Sequence, residues 1–140
     1  MLDTNALLLP VRVRFPLESE VDRLRPGAKL SVPSSALEEL ERLAARGVRG
    51  APAALLLARR YPVVPAEGRG DAAVLAAAVR SRAWVVTADR ALAVRLRQAG
   101  LTVLVPRDRS RLELWPARPP KVRGPRAPVP RKPVRRRQRL

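Results

Sequence analysis

The 140-residue sequence contains no cysteine and no histidine. The first absence excludes a disulfide framework, a thiolate nucleophile and any Cys/His zinc site. The second excludes a Ser–His pair and an imidazole acting as general base near neutral pH. If the chain hydrolyses anything, carboxylates must carry the chemistry, holding a metal ion. Aromatic residues amount to only 3%, so ring stacking contributes little; Trp84 is expected in the core and Trp115 as the one exposed platform. No apolar run approaches the roughly 20 residues of a membrane span. The opening MLDTNALLLP has no basic stretch ahead of an apolar one, so the reading is of a cytoplasmic protein without a signal peptide.

Acids are scarce as well: 12 Asp+Glu stand against 29 Lys+Arg, a net charge of +17. That excess points to a polyanionic partner, with nucleic acid ahead of a membrane surface because no basic amphipathic helix is present. Residues 116–140 carry ten of the cations, seven prolines and no acid, which leaves +7 on residues 1–115. Such a segment buries too little apolar surface to offset its ordering entropy, so a disordered basic tail is expected. Arg131, Lys132, Arg135, Arg136 and Arg137 are its candidate RNA contacts, the alternative being a merely solubilising tail.

With 46% hydrophobic residues, positions 1–115 suffice for one domain with a core. Short apolar runs at Leu30–Val32, Val63–Val64, Ala83–Val86 and Leu101–Val105 read as strands. Helical patterns fall between them at Glu18–Leu24, Ser35–Arg46, Pro52–Arg60, Ala72–Arg80 and Arg90–Ala99. Glycines mark the joins, and RQAGLTVLV reads as helix, glycine stop, then strand. This alternation predicts an α/β fold with a parallel sheet covered on both faces.

Four acids have informative places in that scheme. Asp3 ends the first apolar stretch and Asp89 follows the strand AWVVT, so both fall at the carboxyl ends of strands, where open α/β sheets bind ligands. Asp71 precedes the helix AAVLAAAV. On the helix around SALEELERLAA, Ala36, Leu37, Leu40, Leu43 and Ala44 form an apolar stripe. Glu39 lies about 100° from Leu40, at the border of the stripe; Glu38 points to solvent and Glu41 flanks the other border as the competitor. Each acid alone has a plainer role: Asp71 and Asp89 as helix caps, Asp3 as a turn or cap, Glu39 as a solvated helix residue.

Together, the stretches Asp-Thr-Asn-Ala-Leu-Leu (3–8), Val-Pro-Ser-Ser-Ala-Leu-Glu-Glu-Leu (32–40), Gly-Asp-Ala-Ala-Val-Leu (70–75) and Val-Val-Thr-Ala-Asp-Arg-Ala-Leu (85–92) resemble, in order, the four acidic motifs of PIN-domain nucleases, of an archaeal type similar to those of small-subunit ribosomal RNA processing. The resemblance covers nearly all of residues 1–115. It implies a three-layer α/β/α sandwich with a parallel sheet in the order 3-2-1-4-5. It also implies an endoribonuclease using Mg²⁺ or Mn²⁺, with Asp3, Glu39, Asp71 and Asp89 as catalytic and metal-binding residues. Thr87, with Thr4 as a second match, takes the place of the family's hydroxyl, and Asn5 that of its asparagine after the first acid. In this reading Asp3, Asp71 and Asp89 hold one ion, Glu39 binds a second or orients water, and Arg12, Arg14, Arg69 and Arg90 are candidates to meet the RNA backbone. Family members often form homodimers, and some are toxins of toxin–antitoxin pairs; a non-catalytic RNA-binding or ribosome-associated protein is the reading outside the enzyme class. Two departures stand out: only Met1 and Leu2 precede Asp3, and Ala72 stands where the family often has a further acid.

Overall fold

The computed structural model describes residues 1–121. Six helices, α1 (Thr4–Val13), α2 (Leu17–Leu24), α3 (Ser34–Ala45), α4 (Ala51–Ala58), α5 (Gly70–Ser81) and α6 (Arg90–Gln98), alternate with short strands β1 (Val32–Pro33), β2 (Val63–Val64), β3 (Val85–Val86), β4 (Val103–Pro106) and β5 (Leu112–Trp115). Local chemistry sets the boundaries. Asp3 caps α1 by accepting from the Ala6 amide at 2.8 Å, and Asp89 caps α6 by accepting from the Leu92 amide at 3.0 Å; each satisfies an amide that has no partner within its helix. Helix α3 ends where Gly47 adopts φ +73° and the Val48 amide turns back to the Leu43 carbonyl, a left-handed turn that glycine makes without steric cost.

The strands pair parallel, β1 with β2 and β3 with β4, and β5 then adds antiparallel to β4. Between these two small sheets runs the backbone of Met1–Asp3. The Leu2 amide donates to the Ser31 carbonyl at 2.8 Å on one side; on the other, the Val86 amide donates to the Met1 carbonyl at 2.9 Å and the Asp3 amide to the Val86 carbonyl at 3.3 Å. The α/β class is as expected. The central segment of the sheet is short, as the sequence implied, and pairs with β3 through a single parallel bridge, Leu2 to Val86. The outer edge of the sheet is the antiparallel β5.

Strand alternation splits the interior into two cores. Leu2, Val32, Val86, Leu104 and Leu112 pack with residues of α1 to α4. Met1, Val85, Val103 and Val105 pack with Val74, Ala77 and Ala78 of α5 and Leu92, Ala93 and Leu96 of α6. Neighbours in sequence thus face opposite helix layers, as in a layered α/β arrangement. No helix of the described residues is long and apolar enough to cross a membrane.

Candidate active site

The acids gather where α1, α3, α5 and α6 begin, at the carboxyl ends of the strands. Asp3 is only 5% exposed. One of its carboxylate oxygens accepts from the Ala6 amide, and the other from the hydroxyl of Thr87, itself fully buried. The Thr87 hydroxyl also accepts from the Asp89 amide at 3.0 Å. One side chain therefore fixes Asp3 and the turn that carries Asp89. Across the cleft, the Thr4 hydroxyl donates to Glu39 at 2.7 Å; Glu39 lines the cleft, whereas Glu38 and Glu41 are both exposed. A cleft of about 100 Å³ is lined by Asp3, Thr4, Asn5, Ser35, Glu39 and Asp71, among others. Asp71 lies within the first turn of α5 and makes no cap hydrogen bond, so the capping role open to it from the sequence is not the one it takes.

The electrostatics are those of a crowded acid cluster. Burial pushes the Asp3 carboxyl up to about 6; hydrogen bonds from Thr87 and the Ala6 amide pull it down, and the charges of Asp71 and Asp89 push it up further. The Asp71 carboxyl is also raised, first by burial and then by the charge and hydrogen bonding of Asp89, with Glu39 adding and Arg95 opposing. Proximity of this kind favours either a shared proton or a cation.

The donor set suits a hard divalent cation: every candidate ligand is oxygen, as Mg²⁺ and Mn²⁺ prefer. Ser35 adds a second observation. Its hydroxyl is buried, lines the same cleft and has no hydrogen-bond partner; no other described side chain leaves a buried polar atom so. Ser34 beside it is satisfied twice, by the carbonyl and the amide of Ala66. Among the described residues no three acids are grouped closely enough to hold one ion together, although Asp89 is near enough to Asp71 to raise its carboxyl.

Other sequence expectations fare differently. Asn5 lines the cleft and is exposed. Arg12 and Arg14 stand at the far end of α1, on the order of 13 Å along the helix from Asp3, and so lie away from the acids. Trp84 is half-buried under the Arg25 guanidinium, 4.4 Å from its ring centre, rather than fully in the core, and Trp115 is half-buried rather than exposed. A larger cleft of about 520 Å³, between Lys29–Ser31 and Arg82–Trp84, has no acid in its lining. Arg131, Lys132, Arg135, Arg136 and Arg137 lie outside the described residues. The sequence reading missed Ser35; its place one turn before Glu39 on α3, at i and i+4, was the available signal.

An α/β body with carboxylates crowded at the strand ends is the architecture of a nuclease-type domain. The PIN-like domain family matches residues 1–109, and the chain belongs to it. No curated protein matches the sequence.

Proposed function

We propose that this protein is a metal-dependent endoribonuclease. The observation that carries the reading is that Asp3, Glu39 and Asp71 line one cleft, with Asp89 tied to Asp3 through Thr87. Asp3, Asp71 and Asp89 would hold Mg²⁺ or Mn²⁺, and Glu39 would take a second ion or orient water. Hydrolysis at neutral pH without histidine needs a source of hydroxide, which a divalent cation bound to these carboxylates would supply by acidifying water while offsetting phosphate charge.

The chain's own residues do the rest. Thr87 and the Ala6 amide hold the Asp3 carboxylate in one orientation, so little reorganisation is left for the reaction. Thr4 holds Glu39 at the cleft wall. Glu39, which caps no helix, would orient the attacking water, and in-line attack would leave 5′-phosphate and 3′-hydroxyl ends. The basic segment 116–140 would retain RNA near the cleft through phosphate contacts. Such a tail suits a processing enzyme, ribosomal RNA being one target class, better than a bare toxin domain.

The capping bonds of Asp3 and Asp89 favour one second reading, an RNA-binding protein in which these two serve only as caps. The two separate in one assay. Purified full-length protein with Mn²⁺ is expected to cleave a labelled single-stranded RNA, and an Asp3→Asn, Asp89→Asn double variant to lose at least about 100-fold in rate. Equal cleavage by wild type and double variant would remove the nuclease reading. Tight RNA binding by a wild type that never cleaves would establish the binding one.

A further inference from the structure

Arginines gather beside the acids without acidic partners of their own. The Arg90 and Arg97 guanidinium carbons lie 5.6 and 5.5 Å from the centre of the same ring, Trp115 on β5. The ion pairs among the described residues are Arg23–Glu20 and Arg60–Glu18, so neither arginine draws on one. Two like charges brought to one indole repel each other, and the ring's quadrupole compensates only in part. Arg97 is further constrained. Its side chain donates to the Pro116 carbonyl at 2.8 Å, and its own carbonyl accepts from the Arg118 amide at 2.9 Å. The first residues of the basic segment are thereby pinned to the end of α6.

The position of this group gives it direction. Arg90 follows Asp89 directly at the start of α6, and Arg95, on the same helix, is near enough to Asp71 to act on its ionisation. Arg97 lies two turns further on, where Arg118 joins it. Cations thus run from the rim of the acid cleft, along α6 and past a tryptophan, to the start of the basic segment.

From this geometry we infer that Arg90, Trp115 and Arg97 form a docking track for the sugar–phosphate backbone of single-stranded RNA, leading from the acid cleft to residues 116–121. The inference rests on RNA being the substrate and names the surface that delivers it. A phosphate at the two guanidiniums offsets their mutual repulsion, and both keep N–H donors free for phosphate oxygens. The half-buried indole offers its exposed part to a base. A second copy of this chain would bring arginines against arginines and fits poorly.

The test uses the full-length chain in a Trp84→Phe background, so that Trp115 is the sole tryptophan. An oligouridine of about twelve nucleotides, within the usual reach of single-strand sites, is titrated in EDTA to prevent cleavage. Binding is followed both by anisotropy of the labelled RNA and by Trp115 emission. The track predicts that the emission changes in step with binding. Arg90→Gln with Arg97→Gln should weaken affinity about tenfold at 0.15 M salt and lower the salt slope by about 1.4, two contacts at about 0.7 each. Replacing Arg135, Arg136 and Arg137 with Gln should weaken binding yet preserve the Trp115 response at saturation. Binding that leaves Trp115 emission unchanged, or that keeps its affinity and slope in the double variant, overturns the inference, as does absence of binding. Because EDTA takes cleavage out of the assay, these outcomes are independent of the aspartate test: loss of the track leaves the acid cleft untouched, and an inert cleft leaves the track in place.

Discussion

Asp3 does three things at once: it ends the central segment of the sheet, caps α1 and accepts a hydrogen bond from Thr87. Burial pushes its carboxyl up to about 6 from an ordinary 3.8. The folded state therefore binds this proton more tightly than the unfolded chain, so stability in EDTA should fall as pH rises from about 4 to 6, by roughly 2 to 3 kcal/mol. Asp3→Asn keeps a capping oxygen and carries no charge. Its melting temperature should exceed that of the wild type at pH 7 and change little across this window; parallel pH profiles for the two proteins would contradict the assignment. Ser35 gives a prediction of the opposite kind. Removing a buried hydroxyl that lacks a partner costs the empty fold nothing, so Ser35→Ala should melt at or above the wild-type temperature in EDTA but gain less from added Mn²⁺. Equal gains would show that the hydroxyl serves no ligand. The acids were legible in the sequence because hydrolysis without histidine or cysteine leaves few residue types to consider. Ser35 was not, because unsatisfied burial is a property of packing, and its spacing from Glu39 on α3 gave only its helix face.

At the level of elements, α2 and β5 are joined by one polar link. The Arg23 guanidinium forks onto Glu20 at 2.8 and 3.0 Å and donates to the Leu112 carbonyl, while the Leu112 amide donates to Glu20. The hydrogen bond from Arg23, with that from the Leu112 amide, holds the Glu20 carboxyl below its ordinary 4.5. Its contribution is present above that range and is lost as pH falls through the depressed value. Glu20→Gln should accelerate hydrogen exchange at the Leu112 amide and neighbouring β5 positions near neutral pH, and leave α5 protection unchanged; unaltered β5 exchange would show that the β4 ladder alone holds the edge. Helices α2 to α6 and strands β1 to β4 were readable from apolar spacing and glycine punctuation. Helix α1 was hidden by Pro10 inside it, a residue that ordinarily ends a helix, and by Leu7–Leu9, an apolar run without clear periodicity. Strand β5 was hidden because its four residues follow a turn built by Asp108, which accepts from the Ser110 and Arg111 amides, inside a stretch dominated by arginine.

On the scale of the whole molecule, the two sheets meet along Met1–Asp3 through a few backbone hydrogen bonds and share the core in which Val32, Val86, Leu104 and Leu112 pack with α1 to α4. Asp3 lies on that join, Glu39 belongs to the side built around α3, and Asp71 and Asp89 belong to the side built around α5 and α6. Mn²⁺ should therefore raise the melting temperature of the entire domain in a concentration-dependent way, and Asp3→Asn with Asp89→Asn should abolish the rise; a rise that survives in that variant would locate the ion elsewhere. Such an ion would act as a rivet as much as a reagent. Loading it would tie the helix that carries Glu39 to the two that carry Asp71 and Asp89, so readiness for chemistry and resistance to coming apart would be set by a single occupancy.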